Sequence, residues 1–278
     1  MGKKLLAAGL AVLLIGACLF YWQNYSIRTE RVSLHFAKLP TEFDGLRVVE
    51  IADLHGREFG KDSKRLLREV RACKPDIICI DGDLFDENTE LSMLVPLLRG
   101  LLEIAPTYYV TGNHEWRVER LQNLLTWMRA QGVQVLDNTY CTLRRGDSEI
   151  VVAGVHDPYG PYDMKTPQEL VSEIRAAYGE EIYILMLAHR NDTLEQWAAL
   201  GVDLVLTGHC HGGVVRLPLL GGIFGTKREL LPDYDAGAYT QGQTTLFVSR
   251  GLGYSNVHLR LGNRPHLPLL ILRSGGKA

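Results

Sequence analysis

Five short stretches of the chain bring together residue types that bind divalent cations. They are Asp53-Leu54-His55, Gly82-Asp83-Leu84-Phe85-Asp86, Gly112-Asn113-His114-Glu115, His189, and Gly208-His209-Cys210-His211. Imidazoles, carboxylates and one amide make a mixed nitrogen and oxygen donor set. Such a set suits Mn, Fe or Zn better than Ca or Mg alone, and without thiolates it argues against a structural zinc site. The Asp-x-His and His-x-His spacings let alternate residues leave a strand end on one side, so that one backbone supplies two donors. Singly, each stretch has a plainer reading. His189 reads equally as a packed or capping residue, Asn113 as a turn residue after Gly112, and the acidic cluster around Asp83 as an N-cap. Five such stretches in one order make coincidence a poor account.

Each stretch follows a run of β-formers. Ile77-Ile78-Cys79-Ile80 has no helical period and predicts a strand buried on both faces. Its carboxylates then sit at the carboxyl end, where open α/β sheets bind ligands. Residues 46–52 likewise lead to Asp53, 107–110 to Asn113, 182–188 to His189 and 202–206 to His209. In a sheet whose parallel strands share one carboxyl edge, these side chains converge. Helices are expected at about 62–73, 90–104, 116–131 and 168–178, from apolar periodicity between turn signals. Strand-like stretches at 31–36, 245–249 and 267–272, and a β-rich middle at 133–155 with a turn at Arg145-Gly146-Asp147, complete the pattern. Asp81 has no assigned role and is expected to be backbone-bonded or exposed.

The chain has 278 residues, 46% hydrophobic and 22% charged, with a formal net charge of -2. That suits one large α/β domain with an extension, and no polyanion-coating surface, so nucleic-acid binding is not expected. Five scattered cysteines make neither a disulfide framework nor a C-x-x-C metal pair. Lys3 and Lys4 precede an apolar run ending at Tyr21-Trp22, about the length needed to span a bilayer, with aromatic residues suited to its interface. Three readings stand: a retained anchor, which we favour, a lipoprotein lipidated at Cys18, and a cleaved signal. The expected organisation is an anchor or signal at 1–25, a connecting strand and turn at 26–45, and a catalytic domain at 46–278. Basic residues on both sides of the run nearly balance. The export-like start favours an extracytoplasmic domain.

Together, the five ordered motifs resemble those of the calcineurin-like metallophosphoesterase superfamily over residues 46 to 211. Leu39-Pro40, Asp44-Gly45-Leu46-Arg47, Gly212-Gly213, Arg216-Leu217-Pro218 and Ser249-Arg250-Gly251-Leu252-Gly253 are similar to a membrane-route branch that includes YkuE-like and YaeI-like phosphodiesterases. One departure is Arg190-Asn191-Asp192 after His189, where many members have a proline. The resemblance implies an α/β fold built as a four-layer αββα sandwich of two mixed β-sheets, behind the N-terminal helix. It implies two divalent metal ions, one held by Asp53, His55, Asp83 and His211, the other by Asp83, Asn113, His189 and His209. Asp83 would bridge them, and His114 would be catalytic, facing the phosphate and leaving group without ligating. Asp86 and Glu115 would orient the histidine ligands and His114.

The organic part of the substrate is less legible. The loop from His156 to Tyr162 and the Gly-rich connection 212–242 are the expected rim. Leu217, Leu219, Leu220, Ile223 and Phe224 make the latter apolar for a loop, with Arg216, Lys227 and Arg228 expected near phosphates. The expected partner is a phosphorylated small molecule or lipid, cut at a phosphodiester or pyrophosphate bond by a monomeric enzyme. Rival readings are a phosphomonoesterase or nucleotide hydrolase on soluble substrates, a hydrolase of non-phosphate substrates, and a membrane-anchored metal-binding module without turnover. Neither a Ser nucleophile elbow nor H-E-x-x-H supports the non-phosphate hydrolase.

Overall fold

The computed structural model describes residues 2–161, 164–254 and 259–276; Tyr162 of the expected rim lies outside them. Helix α1 (Gly2–Tyr25) is apolar all round, and Asn24 is its buried residue. It is long and apolar enough to cross a membrane. The chain then runs through β1 (Arg28–Phe36), β2 (Leu46–Ile51), α2 (Lys64–Cys73), β3 (Ile77–Ile80), α3 (Leu94–Leu102), β4 (Thr107–Tyr109), α4 (Leu121–Gln131) and β5 (Gln134–Val135). It continues through β6 (Thr139–Arg145), β7 (Ser148–Gly154), α5 (Pro167–Tyr178), β8 (Ile184–Leu187), α6 (Leu194–Ala199) and β9 (Leu204–Thr207). A short hairpin, β10 (Arg216–Leu217) and β11 (Gly221–Gly222), precedes β12 (Gly237–Gln241), β13 (Thr244–Val248) and β14 (His266–Ser274).

The strands form two large mixed sheets. The first has the order β1-β14-β2-β3-β4-β5 and is parallel except where β14 meets β2. The second, β12-β13-β9-β8-β7-β6, is parallel in its middle and antiparallel at both edges. Ile77 and Cys79 point into a core shared with Leu185, Leu206 and Phe247 of the second sheet. Ile78 and Ile80 point outward onto helix residues such as Leu66, Leu97 and Leu125. This alternation explains why β3 has no polar face. On the far side, Ile184 and Val205 pack under Leu170 of α5 and Trp197 of α6. The layers are therefore helix, sheet, sheet, helix, as the resemblance implies.

Several local expectations change. Residues 26–45, expected as a connecting strand and turn with the strand at 31–36, supply β1, which starts at Arg28 and pairs with β14 from Arg28↔His266 to Phe36↔Ser274. Leu34 and Phe36 of β1 are buried in the inter-sheet core, which is why the strand docks. The helix expected at 116–131 begins only at Leu121; before it Val118 is extended and Arg120 has φ 61°. Glu115 at the head of that segment is committed to tertiary hydrogen bonds, described below, which hold the turn apart from a continuous helix. Helix α6 has no counterpart in the sequence reading, because six residues are too few to display a helical period. By contrast, α5 starts with a full capping box, in which Thr166 Oγ1 accepts from Glu169 N and Thr166 N donates to Glu169, with Pro167 in the first turn.

Candidate metal centre

The five stretches converge, but from two sheets. Asp53, Asp83 and Asn113 follow β2, β3 and β4 of the first sheet, and His189 and His209 follow β8 and β9 of the second. They meet at one edge of the inter-sheet core. The chain bends sharply there: Asp53, His55 and Asp83 each have φ 47°, His209 has 68° and His211 50°. Left-handed backbone at non-glycine residues costs on the order of 1–3 kcal/mol each and gathers at functional sites. Gly82 permits the approach of the two sheets. Its φ is 103°, and a Cβ would lie 2.6 Å from Gly112 N and 2.7 Å from His189 Nδ1.

The donors fall into two main groups, and a third set, His55, Asp86 and His114, also brings its ligand atoms within 4.8 Å of one another. Asp53, His55 and His211 place ligand atoms within 4.8 Å of one another, and so do Asp83, His189 and His209. His55 Nε2 and His211 Nε2 are 3.2 Å apart, and His189 Nε2 and His209 Nδ1 are 3.1 Å apart. Asp83 stands between the groups, with Oδ2 3.2 Å from His189 Nε2 and 3.6 Å from His55 Nε2. Its Oδ1 accepts a hydrogen bond from His114 N at 2.9 Å. The carbonyl of Asp81 accepts from His189 Nδ1 at 2.9 Å, which turns Nε2 towards Asp83.

The electrostatics divide the histidines: against burial, Asp83 and Asp53 hold His189 up to about 10, and Asp86 and Asp83 raise His55, whereas the other two are lowered. Burial lowers His209, with the nearby His189 and Arg190 charges, to about 2. Burial and His55 likewise hold His211 well below the ordinary histidine value. Both rings are therefore neutral, with lone pairs to give. For Asp83, the His189 and His55 rings outweigh desolvation and hold the carboxyl well below its usual range. Asn113 Oδ1 and Asp53 Oδ2 are buried without a hydrogen-bond partner. Orphaned oxygens are uncommon in protein interiors, and both are hard donors of the kind a divalent cation takes. The residues present fit a pair of such cations.

The neighbours differ in part from expectation. Asp86 Oδ2 faces His55 Nδ1 at 3.6 Å, the orienting place expected of it. Glu115 instead supports the backbone. Its Oε2 accepts from Asp83 N (3.0 Å) and Gly112 N (2.8 Å), and its Oε1 from Leu84 N (2.7 Å) and Phe85 N (3.4 Å). The carboxylate facing His114 Nδ1 is Glu87, at 3.4 Å. Asp81 is not exposed: it is fully buried beside Glu50 of β2. Burial pushes Asp81 up to about 8 and raises Glu50 as well, so the pair is not doubly ionised at neutral pH.

A cavity of about 420 Å³ opens over Asp83, Asn113 and His114, walled by Tyr159, Arg190 and Lys227. Another, about 700 Å³, lies on the opposite side of His114, along His55, Asp86 and Glu87. Arg190 had no role in the sequence reading beyond standing where many relatives carry proline. It donates to both oxygens of the buried Asp157, from Nε (2.6 Å) and Nη2 (3.0 Å), and places Nη1 3.0 Å from His209 Nε2. A basic residue directly after a candidate ligand was the available signal. Lys227 and Arg228 line the same cavity, as expected, whereas Arg216 is turned away into a 2.8 Å pair with Asp235.

The sequence signature described as calcineurin-like phosphoesterase matches residues 46–213. The Bacillus subtilis uncharacterized metallophosphoesterase YkuE is 28% identical over 261 residues, 91% of this chain and 88% of its own. The Escherichia coli phosphodiesterase YaeI is 31% identical over 234 residues, covering 81% of this chain and 82% of its own. A Bos taurus transmembrane protein with metallophosphoesterase domain is 29% identical over 91% of this chain, which spans only 58% of that protein. With the signature enclosing all five site-bearing stretches and YaeI aligned along most of both chains, the chain belongs to the calcineurin-like phosphoesterases and is a metal-dependent phosphoric ester hydrolase of the YkuE and YaeI branch.

Proposed function

We propose that the chain hydrolyses a phosphodiester or pyrophosphate bond of a lipid or envelope-derived substrate, as a monomer anchored by α1 with its domain on the extracytoplasmic side. The family uses a dinuclear divalent metal centre, and the observation that carries the reading is the pair of donor groups meeting at Asp83. One cation, Mn, Fe or Zn, is assigned to Asp53, His55, Asp83 and His211, and the other to Asp83, Asn113, His189 and His209. Two such ions supply Lewis acidity to phosphoryl oxygens and lower the pKa of water, so that a nucleophile exists at neutral pH.

The chain's own groups do the rest. Glu115 holds the turns that carry Asp83 and Asn113, and Asp86 and the Asp81 carbonyl set the rings of His55 and His189. His114 borders both cavities, with Glu87 near Nδ1; carrying a proton, it can deliver it to the leaving oxygen. Arg190, clamped by Asp157, and Lys227, paired with Asp192, bring cationic groups to the wall of the cavity over Asp83 for an anionic substrate. The membrane-length helix and the exposed apolar residues of 212–242 favour a lipid over a soluble ester.

The test uses purified full-length protein loaded with Mn, Fe or Zn. Metal analysis is expected to find two ions per chain, with hydrolysis of a generic aryl phosphodiester and release of phosphorylated headgroup from a lipid extract. Turnover of soluble nucleotides far above any lipid removes the lipid assignment. Two ions without hydrolysis of any phosphoester favours a binding module.

A further inference from the structure

The foot of α1 is clamped to the domain. Asn24 Oδ1 accepts from Arg260 N at 3.0 Å, and its Nδ2 donates to Arg260 O at 3.3 Å. Gln23 Oε1 accepts from Gly262 N at 2.7 Å. The same segment holds the start of the β10–β11 hairpin. Arg216 N donates to Leu261 O at 2.9 Å, and Asn263 Nδ2 donates to Val214 O at 3.2 Å. Helix foot and hairpin are therefore both hydrogen-bonded to one strip, residues 260–263.

What the hairpin presents is apolar. Leu217, Leu219 and Leu220 are 46%, 106% and 60% exposed, and Phe224, Leu230 and Leu231 follow at 48%, 69% and 51%. Leu219 also has φ 70°, a backbone state that turns usually give to glycine or asparagine. An exposed leucine there is unfavourable twice over in water. Clusters of this kind mark contact with another surface. Tyr21, Trp22 and Tyr25 are exposed at the domain end of α1, and the Arg264 guanidinium lies 4.4 Å from the Trp22 ring centre. Aromatic residues with nearby cations are the composition of a membrane–water interface.

We propose that the hairpin and the turn after it form a second bilayer contact, with the leucines entering the headgroup and upper acyl region next to α1. The occupant is a lipid surface because the patch is continuous, through residues 260–263, with the helix that itself requires one. The inference rests on the reading of α1 as an anchor. It adds an orientation: Val214 and the 224–228 stretch of this segment also line the cavity over Asp83 and His114, so two contacts fix that cavity's mouth at the lipid surface. A substrate phosphate there need not leave the bilayer to be reached.

Quenching in vesicles tests this with the full chain. Leu219→Cys and, separately, Leu220→Cys are made with Cys18→Ser and Cys141→Ser, labelled with an environment-sensitive fluorophore, and reconstituted into phosphatidylcholine–phosphatidylglycerol vesicles. Asp147→Cys, in the β6–β7 turn, is the control. Lipid-borne nitroxide is expected to quench both leucine-site labels and aqueous iodide to spare them, with the reverse at the control. Vesicles that float with the protein while iodide quenches the leucine-site labels as it does the control overturn the second contact and leave the anchor standing. Labels protected from both quenchers point to a second copy of the chain and also overturn it. Protein that fails to float overturns anchor and inference together.

Discussion

Replacing Glu115 by glutamine separates two accounts of the site. Sequence reading assigned this residue to the histidines, but all four of its hydrogen bonds come from backbone N–H groups, of Asp83, Leu84, Phe85 and Gly112. Burial and Asp83 push its pKa up to about 8, with the Tyr109 hydroxyl beside it, but four backbone N–H groups shared between its two oxygens call for acceptors on both, as a carboxylate supplies. Glutamine keeps one oxygen and turns an NH₂ towards the other two donors. Two buried N–H groups then lose their acceptor, at about 1–3 kcal/mol each, so the expected loss is about 2–6 kcal/mol. Domains of this kind have only about 5–15 kcal/mol in total, so the loss shows as a marked fall in the urea midpoint of Glu115→Gln against the parent. The same turns carry Asp83 and Asn113, so metal affinity falls roughly 10–100-fold. The assays are urea unfolding of the metal-free protein and metal titration. A variant as stable as the parent, with unchanged affinity but an altered pH profile of turnover, would refute the scaffold role and return Glu115 to the histidines.

His114→Ala is expected to keep both metal ions, because its backbone N–H still reaches Asp83, while hydrolysis falls ~10²–10⁴-fold; parallel loss of metal and activity assigns His114 to ligation instead. Arg190→Lys keeps a charge beside Asp157 but loses the two-pronged contact, and KM is expected to rise about tenfold with kcat nearly constant. An unchanged KM removes Arg190 from substrate binding. At the β1–β14 edge, the His266 ring, with Nε2 3.3 Å from Glu30 Oε2, outweighs burial and holds Glu30 down to about 2 from 4.5, with Arg250 and Arg28 adding charge. A depressed acid stabilises the fold above its unfolded value and loses that contribution as pH falls from 4.5 towards 2. The Glu30 side chain is 37% exposed, so salt screens part of the effect. Glu30→Gln is accordingly expected to lower stability at pH 6 and to flatten the acid limb of the urea-midpoint profile, whereas parallel profiles mean that Glu30 contributes nothing there.

The ordered donors at strand ends were legible from residue order alone, because β-formers followed by carboxylate, amide or imidazole declare both the element and its chemistry. The apolar run of α1 and the alternation at 31–36 that became β1 are equally local signals. What depended on tertiary structure were relations between distant residues. That Asp53, Asp83 and Asn113 come from one sheet and His189, His209 and His211 from the other follows from strand pairing, which no local pattern encodes. Glu115 lies next to His114 in sequence, yet its carboxylate points at residues 83–85, and His114 meets Glu87 instead. Asp81 looked like part of an acidic turn until packing buried it against Glu50. The apolar residues of 217–231 could be read locally; that they depart from the same strip that holds Gln23 and Asn24 could not. Residue type and spacing thus determined the chemistry available to this protein. The fold decided which groups face one another, because contacts between residues tens to hundreds of positions apart arise only when the sheets close on their shared core.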